Sequence, residues 1–255
     1  MPTGGESVLV LTPVKNAARF LDTYFAAMEK LTYPPSLISL GFLESDSDDQ
    51  TYERLRERLD RVRSRYAAAE IWCKDFNFRI PYGLPRWAEA IQIARRKILA
   101  KARNHLLFHA LKNQDWVLWL DVDVIDYPPD LIERLIATER DIVHPHCVTR
   151  YGGPTFDLNA WREHGNVHMD VLRGGPDLVR LDAVGGTVLL VRADVHRDGL
   201  VFPCFPYGAA NPAIRHPHPL QIKGELETEG LGILAIDMGY QCWGIPNLEV
   251  LHAPE

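Results

Sequence analysis

Two aspartates one residue apart, Asp121 and Asp123, close the run Trp116-Val117-Leu118-Trp119-Leu120-Asp121-Val122-Asp123. Carboxylates at that spacing offer hard oxygen ligands of the kind Mg2+ and Mn2+ take and, through the cation, a diphosphate. The bulky apolar residues ahead of them, rich in β-branched and aromatic types, predict a strand buried on both faces. In open α/β sheets ligands bind beyond the carboxyl ends of the strands, so the pair is expected at such an edge. The competing reading makes both acids turn caps before a helix that begins near Pro128-Pro129-Asp130. A second acidic stretch, Glu44-Ser45-Asp46-Ser47-Asp48-Asp49, follows an apolar run over 37–43. There the carboxylates suit ribose or base contacts, or the N-terminus of the next helix.

The elements that must position these residues alternate in type. Residues 7–12 read as a strand, and Pro13-Val14-Lys15-Asn16 turns it into a helix with Asn16 as N-cap. Phe20, Leu21, Tyr24, Phe25 and Met28 then follow at helical spacing. Charges of alternating sign over 51–66 mark a solvated helix face, and 70–74 is a third strand. A long helix is expected over 88–111. Its basic residues read mostly as a solvated face, with Lys101 or Arg103 placed to reach a phosphate. After the central strand come a helix over 129–137 and a strand over 141–144. Four β-α units imply parallel strands joined by right-handed crossovers. The rhythm breaks after Pro145, and the irregular 146–180 stretch reads as functional. Two strands over 181–183 and 187–192 flank Gly185-Gly186, a bulge or a close backbone approach to a ligand. The proline-rich 199–220 segment reads as a loop or lid. A helix over 225–238 opens with Glu225, Glu227 and Glu229 and ends at Gly239, and a last strand begins near Cys242.

Composition narrows the class. Hydrophobic residues make up 46% and charged residues 24%, ordinary for a globular protein. A net charge of −6 and a pI near 5.9 argue against a nucleic-acid surface. No apolar run reaches bilayer length, so no membrane span and a cytoplasmic location are expected. Cys73, Cys147, Cys204 and Cys242 have no C-x-x-C spacing and read as reduced thiols. The pairs His144/His146 and His216/His218 lack further ligands, so zinc is not expected. Neither G-x-G-x-x-G nor a P-loop motif is present, which sets aside dinucleotide oxidoreductases and P-loop NTPases.

Taken in order, several stretches resemble one family. They are Leu9-Val10-Leu11-Thr12-Pro13-Val14-Lys15-Asn16, Ser45-Asp46-Ser47-Asp48-Asp49, Ala102-Arg103-Asn104-His105-Leu106-Leu107 and Trp116 to Asp123. Further on come Phe156-Asp157-Leu158-Asn159-Ala160-Trp161, Val184-Gly185-Gly186, Glu227-Thr228-Glu229-Gly230, Gly244-Ile245-Pro246 and His252. Together they are similar to the fungal Golgi mannosyltransferases of the mannan-polymerase type. The resemblance implies a GT-A fold, an α/β domain with a mixed, mostly parallel sheet flanked by helices. It is expected as a single domain over 1–255, with a nucleotide-binding half near 7–145 and an acceptor-side half near 146–255.

It also implies transfer of mannose from GDP-mannose, with retention, to a glycan or other hydroxyl acceptor, assisted by Mn2+ or Mg2+. Asp121, Asp123 and His252 look like the family's metal site. Glu227 and Glu229 look like its acidic pair facing acceptor and donor sugar, with Asp121 as a further catalytic acid. The GDP-sugar is expected against Pro13, Lys15, Glu44 and Asp46 on one side. Arg103, Asn104, Asp121 and Gly186 are expected on the other. Gly230 stands where the family has an acid, so loss of an acceptor contact is expected, and no membrane anchor like the family's is expected, so its Golgi location does not transfer. Two other readings compete. A sugar nucleotidyltransferase shares the sheet and the metal chemistry, but Pro13-Val14-Lys15-Asn16 lacks its glycine-rich loop. A non-catalytic partner that binds nucleotide or glycan is kept open by Gly230.

Overall fold

In the computed structural model, residues 5–86, 88–208 and 224–254 are described. Most of the expected lid lies outside them. The chain begins with β1 (Val8–Val14), α1 (Leu21–Glu29), β2 (Ile38–Glu44), α2 (Thr51–Val62) and β3 (Ala68–Cys73). It continues with α3 (Glu89–Ala110), β4 (Trp116–Leu120), β5 (Val124–Asp126), α4 (Leu131–Ile136) and β6 (Ile142–Val148). The second half holds α5 (Met169–Leu172), β7 (Val179–Leu181), β8 (Val188–Arg192), α6 (Ala193–Arg197), α7 (Glu227–Asp237) and β9 (Cys242–His252).

All nine strands join one sheet in the order β3-β2-β1-β4-β8-β6-β9-β5, with β7 also on β9. β3, β2, β1 and β4 are parallel, as the β-α rhythm predicts. β8 then runs antiparallel between β4 and β6, which makes the sheet mixed. Successive side chains of a strand face opposite sides, and β4 shows the consequence. Trp116, Leu118 and Leu120 pack in one core with α1, α2 and α4. Val117 and Trp119 pack in the other with α3, α6 and α7. The run is apolar throughout because both faces are covered.

Several expectations are corrected. Asn16 does not cap α1: it sits at φ +49°, and its Oδ1 accepts the Asp48 amide at 2.9 Å. The helix starts five residues after Asn16, at Leu21. β5 was not foreseen, because three residues carry too little periodicity to read. β6 runs on to Val148, well into the stretch read as irregular. The strands on either side of Gly185-Gly186 do not pair with each other: β7 lies on β9, and β8 lies between β4 and β6. β9 is one strand of 11 residues, with its register shifted opposite Pro145/His146.

Where α6 packs on β4, His196 is fully enclosed. Trp119 Nε1 donates to its Nε2 at 3.2 Å, and its Nδ1 faces the Leu200 carbonyl at 2.7 Å. An indole only donates and a carbonyl only accepts, so the ring is neutral with its proton on Nδ1. Burial lowers its pKa to about 4, against the pull of the Leu200 carbonyl. The unfolded chain then binds the extra proton first as pH falls. This residue's stability contribution is complete above about pH 6.5 and declines toward pH 4, by roughly 3 kcal/mol in all. Urea denaturation across that range should show the slope in wild type and a shallower one in His196→Gln. Identical slopes would refute the assignment.

Candidate active site at the carboxyl edge of the sheet

Asp121 and Asp123 leave the end of β4 in a tight turn. The Asp121 amide donates to Thr187 O at 2.9 Å, and the Val124 amide returns to Asp121 O at 3.2 Å. The turn feeds β5, whose Val124 lies opposite His252 of β9. The Ala253 amide closes on Asp123 O at 2.8 Å. That register sets His252 Nε2 3.2 Å from Asp123 Oδ1, its other nitrogen toward Ala253 O and its ring stacked on Phe156 at 3.8 Å. Burial disfavours the imidazolium, but the bond to Asp123 and its charge outweigh it and raise the His252 pKa. Burial likewise opposes the Asp123 carboxylate, and the His252 bond and charge lower its pKa in return.

Asp121 is held differently. Arg103 of α3, 4% exposed, donates from Nη2 to Asp121 Oδ1 at 3.0 Å and to Gly186 O at 3.3 Å, and from Nε to Glu227 Oε1 at 2.8 Å. Burial pushes the Asp121 carboxyl up to about 7 despite Arg103, and the Asp123 charge adds to the rise. Two turns further back along α3, Arg96 reaches Glu229 Oε2 at 2.5 Å, while Trp161 Nε1 donates to Glu229 Oε1 at 2.7 Å. Glu227 and Glu229 therefore do point apart, each to its own arginine. Arg96 was missed as part of a solvated face. The available signal was position: Arg103 lies four residues from both Leu99 and Leu107, inside the apolar stripe, and Arg96 lies seven before it.

Asp157 was quoted within a motif but given no role. It is the buried hub of the loop ahead of β8. Its Oδ2 accepts the Gly186 amide at 3.0 Å, the Thr187 amide at 3.1 Å and Thr187 Oγ1 at 2.9 Å, with His144 Nε2 at 3.4 Å. The two glycines follow from this. A Cβ on Gly185 would lie 2.0 Å from Asp157 Oδ2, and one on Gly186 would lie 2.6 Å from Arg103 Nη2. The close approach expected from a ligand is made by these side chains.

At the ends of β1 and β2 the expected donor contacts are largely engaged within the protein. Asp46, 2% exposed at φ +55°, accepts the amides of Phe76 and Asn77 at 3.0 and 2.9 Å and pairs with Arg79 at 3.4 Å. Lys15 Nζ donates to Phe78 O at 2.5 Å. Glu44 Oε1 accepts the Ser47 amide, and Pro13 lies in β1 opposite Leu43. Asp49 Oδ1 accepts the Thr51 amide at the start of α2, the capping role weighed for this acidic run. Asn104 bonds both the amide and the carbonyl of Phe202, at 2.8 and 2.7 Å. His144 bonds Asp157, His146 bonds Thr155 Oγ1 and Pro246 O, and His216 and His218 lie outside the described residues.

A cavity of about 190 Å³ opens beside Asp123 and His252, lined also by Arg19, Phe20, Arg86, Ala253 and Pro254. Arg86 Nη1 stands 3.4 Å from Asp123 Oδ2 in its wall. The expected ligand trio is not gathered about one point. Arg103 draws Asp121 toward α3 while His252 holds Asp123 toward β9. Among the described residues no three His, Cys, Asp or Glu side chains are grouped to hold a cation. Nor, among them, is any helix long and apolar enough to cross a membrane.

A model of the Anp1 family matches residues 3–170 and 166–206. The chain belongs to the Anp1 family. This Anp1-family chain is 31% identical to the mannan polymerase II complex anp1 subunit of Schizosaccharomyces pombe, over 98% of its own length and 64% of that protein. It is also 31% identical to the mannan polymerase complex subunit mnn9 of the same yeast, over 98% of its length and 81% of that protein. Among solved structures it is similar to the mannosyltransferase PcManGT from Pyrobaculum calidifontis, determined in complex with GDP-Man and Mn2+. The TM-score is 0.57 at 17% identity, covering 100% of this chain and 59% of that one. That likeness is one of fold. The Anp1-family chain has the GT-A fold, with the mixed, mostly parallel sheet that the sequence led us to expect.

Proposed function

We propose that this chain is a metal-assisted, retaining glycosyltransferase that moves mannose from GDP-mannose to a glycan hydroxyl. The observation that carries the reading is the pairing of Asp123 with His252 at the carboxyl edge of the sheet, beside a cavity with two arginines in its wall. A carboxylate and an imidazole are too few for an all-protein cage. They suit Mg2+ or Mn2+, which take one or two carboxylates and fill the remaining positions with phosphate oxygens and water. The Arg86 guanidinium on Asp123 marks where positive charge is favoured. Asp123 and His252 would hold the cation, with Asp121 two residues before Asp123 on the same turn. Bound there, it would neutralise the charge that builds on the leaving diphosphate. Arg19 and Arg86 supply positive charge to the same space. PcManGT, determined with GDP-Man and Mn2+, supports the donor and the metal, and the mannan polymerase complex subunits among the relatives support a mannose donor.

A second reading, a nucleotide-binding subunit that does not transfer, is favoured by one feature. A Cβ at Gly230 would lie 2.6 Å from Glu225 O, so the place of the family's acid is closed by backbone. Calorimetric titration of GDP, UDP and their mannose or glucose conjugates, with and without Mn2+, separates the readings. Mn2+-dependent preference for GDP is the expected result. Preference for UDP would overturn the mannose donor, and binding without release of GDP to mannoside acceptors would favour the subunit reading.

A further inference from the structure

Resting on that reading, we infer that Glu227 does not touch acceptor or donor. It is a positioning residue that acts through Arg103 on the charge of Asp121. Neither carboxylate oxygen of Glu227 is open: Oε1 accepts Arg103 Nε at 2.8 Å and Oε2 accepts Thr228 Oγ1 at 3.1 Å. The residue is 4% exposed, and its backbone is held at φ +54° with its amide on Pro203 O at 3.0 Å. A non-glycine residue stays in that region only when its surroundings hold it there. What holds it serves Arg103. The guanidinium lies over the rings of Trp119 and Phe202, 5.6 and 5.5 Å from their centroids, and its buried Nη1 has no hydrogen-bond acceptor among the described residues. Its direction is therefore set by the Nε and Nη2 contacts alone, to Glu227 on one side and to Asp121 and Gly186 O on the other.

The charges explain why an acid stands at 227. One guanidinium shared between two carboxylates compensates each only in part, which leaves negative charge at the carboxyl end of β4, two residues from Asp123. With a neutral residue at 227, Arg103 would fully compensate Asp121 and the edge would hold a cation less well. Buried groups that orient and tune a metal-site carboxylate typically change metal affinity by about tenfold or more when replaced.

The test compares wild type, Glu227→Gln, which keeps an acceptor for Arg103 Nε, and Glu227→Ala. GDP binding is titrated against Mn2+ by calorimetry, and KM is measured for a mannoside acceptor. In Glu227→Gln the Mn2+ half-saturation for GDP should rise about tenfold while acceptor KM stays at the wild-type value. A raised acceptor KM with unchanged Mn2+ dependence would overturn the inference, as would no change in either. If wild type binds no nucleotide, the transferase reading fails on its own. The inference is then decided by a double-mutant cycle of Asp121→Asn and Glu227→Gln in thermal unfolding. Coupling between the two through Arg103 sustains it, and strict additivity sinks it.

Discussion

Asp123→Ala should lose Mn2+-dependent GDP binding and lower kcat/KM for mannose transfer by about a thousandfold or more. The magnitude follows from the several kcal/mol a metal ion contributes to a leaving diphosphate, at about 1.4 kcal/mol per decade. Asp123 bonds His252 and stands 3.4 Å from Arg86, so its loss removes the acid at the centre of the pairing. Asp121 stays tied to Arg103 in the variant, and His252 loses the partner that raises its pKa. The fold should tolerate the change, because Asp123 contributes its backbone carbonyl, not its side chain, to the Ala253 contact. Parallel calorimetry, rate measurements and thermal melts check all three points. Wild-type Mn2+-dependent binding in a folded variant would remove Asp123 from the site.

The second large effect is on stability. Asp157→Ala strips acceptors from the Gly186 amide, the Thr187 amide and Thr187 Oγ1 in a buried setting, and leaves His144 Nε2 without its partner. Unsatisfied buried donors around a removed charge should cost about 3–5 kcal/mol. The same loop holds Gly186 O against Arg103 and Thr187 O against the Asp121 amide, so the acid pair loosens as the fold weakens. A pH signature goes with it. Burial opposes the Asp157 carboxylate, but the bonds from His144 and Thr187 and the nearby His144 charge prevail and hold its pKa well below the usual carboxylate range. Its contribution is therefore complete above the unfolded value, near pH 4, and is lost as pH falls further. Urea denaturation of wild type and Asp157→Asn at pH 7 and near pH 3 should show the gap between them narrowing in acid. A constant gap would mean that Asp157 is not held as a carboxylate.

Much of this molecule was legible in its sequence because periodicity survives folding. The unbroken apolar run of β4 announced a doubly covered strand, and the β-α alternation announced parallel pairing of β3, β2, β1 and β4. The helical spacing of Leu21, Tyr24, Phe25 and Met28 placed the buried face of α1. The acids after β4 could be placed at the sheet's carboxyl edge, since that placement needs only a strand and the direction of its end. Tertiary structure alone decided which partner each charge takes. Arg96 read as solvent-facing and Arg103 as a phosphate contact, yet their helical phase turns both inward, where Glu229 and Glu227 pair with them. Asp46 read as a ribose ligand, but its left-handed backbone and buried carboxylate bind the 76–77 amides. Asp157 drew no role because nothing local reveals that Gly186 and Thr187, some 30 residues on, will aim their amides at it. Ordered runs constrain their own backbone, whereas a charge takes its partner from whatever the fold brings within 3 Å, and that distance is unrelated to separation along the chain.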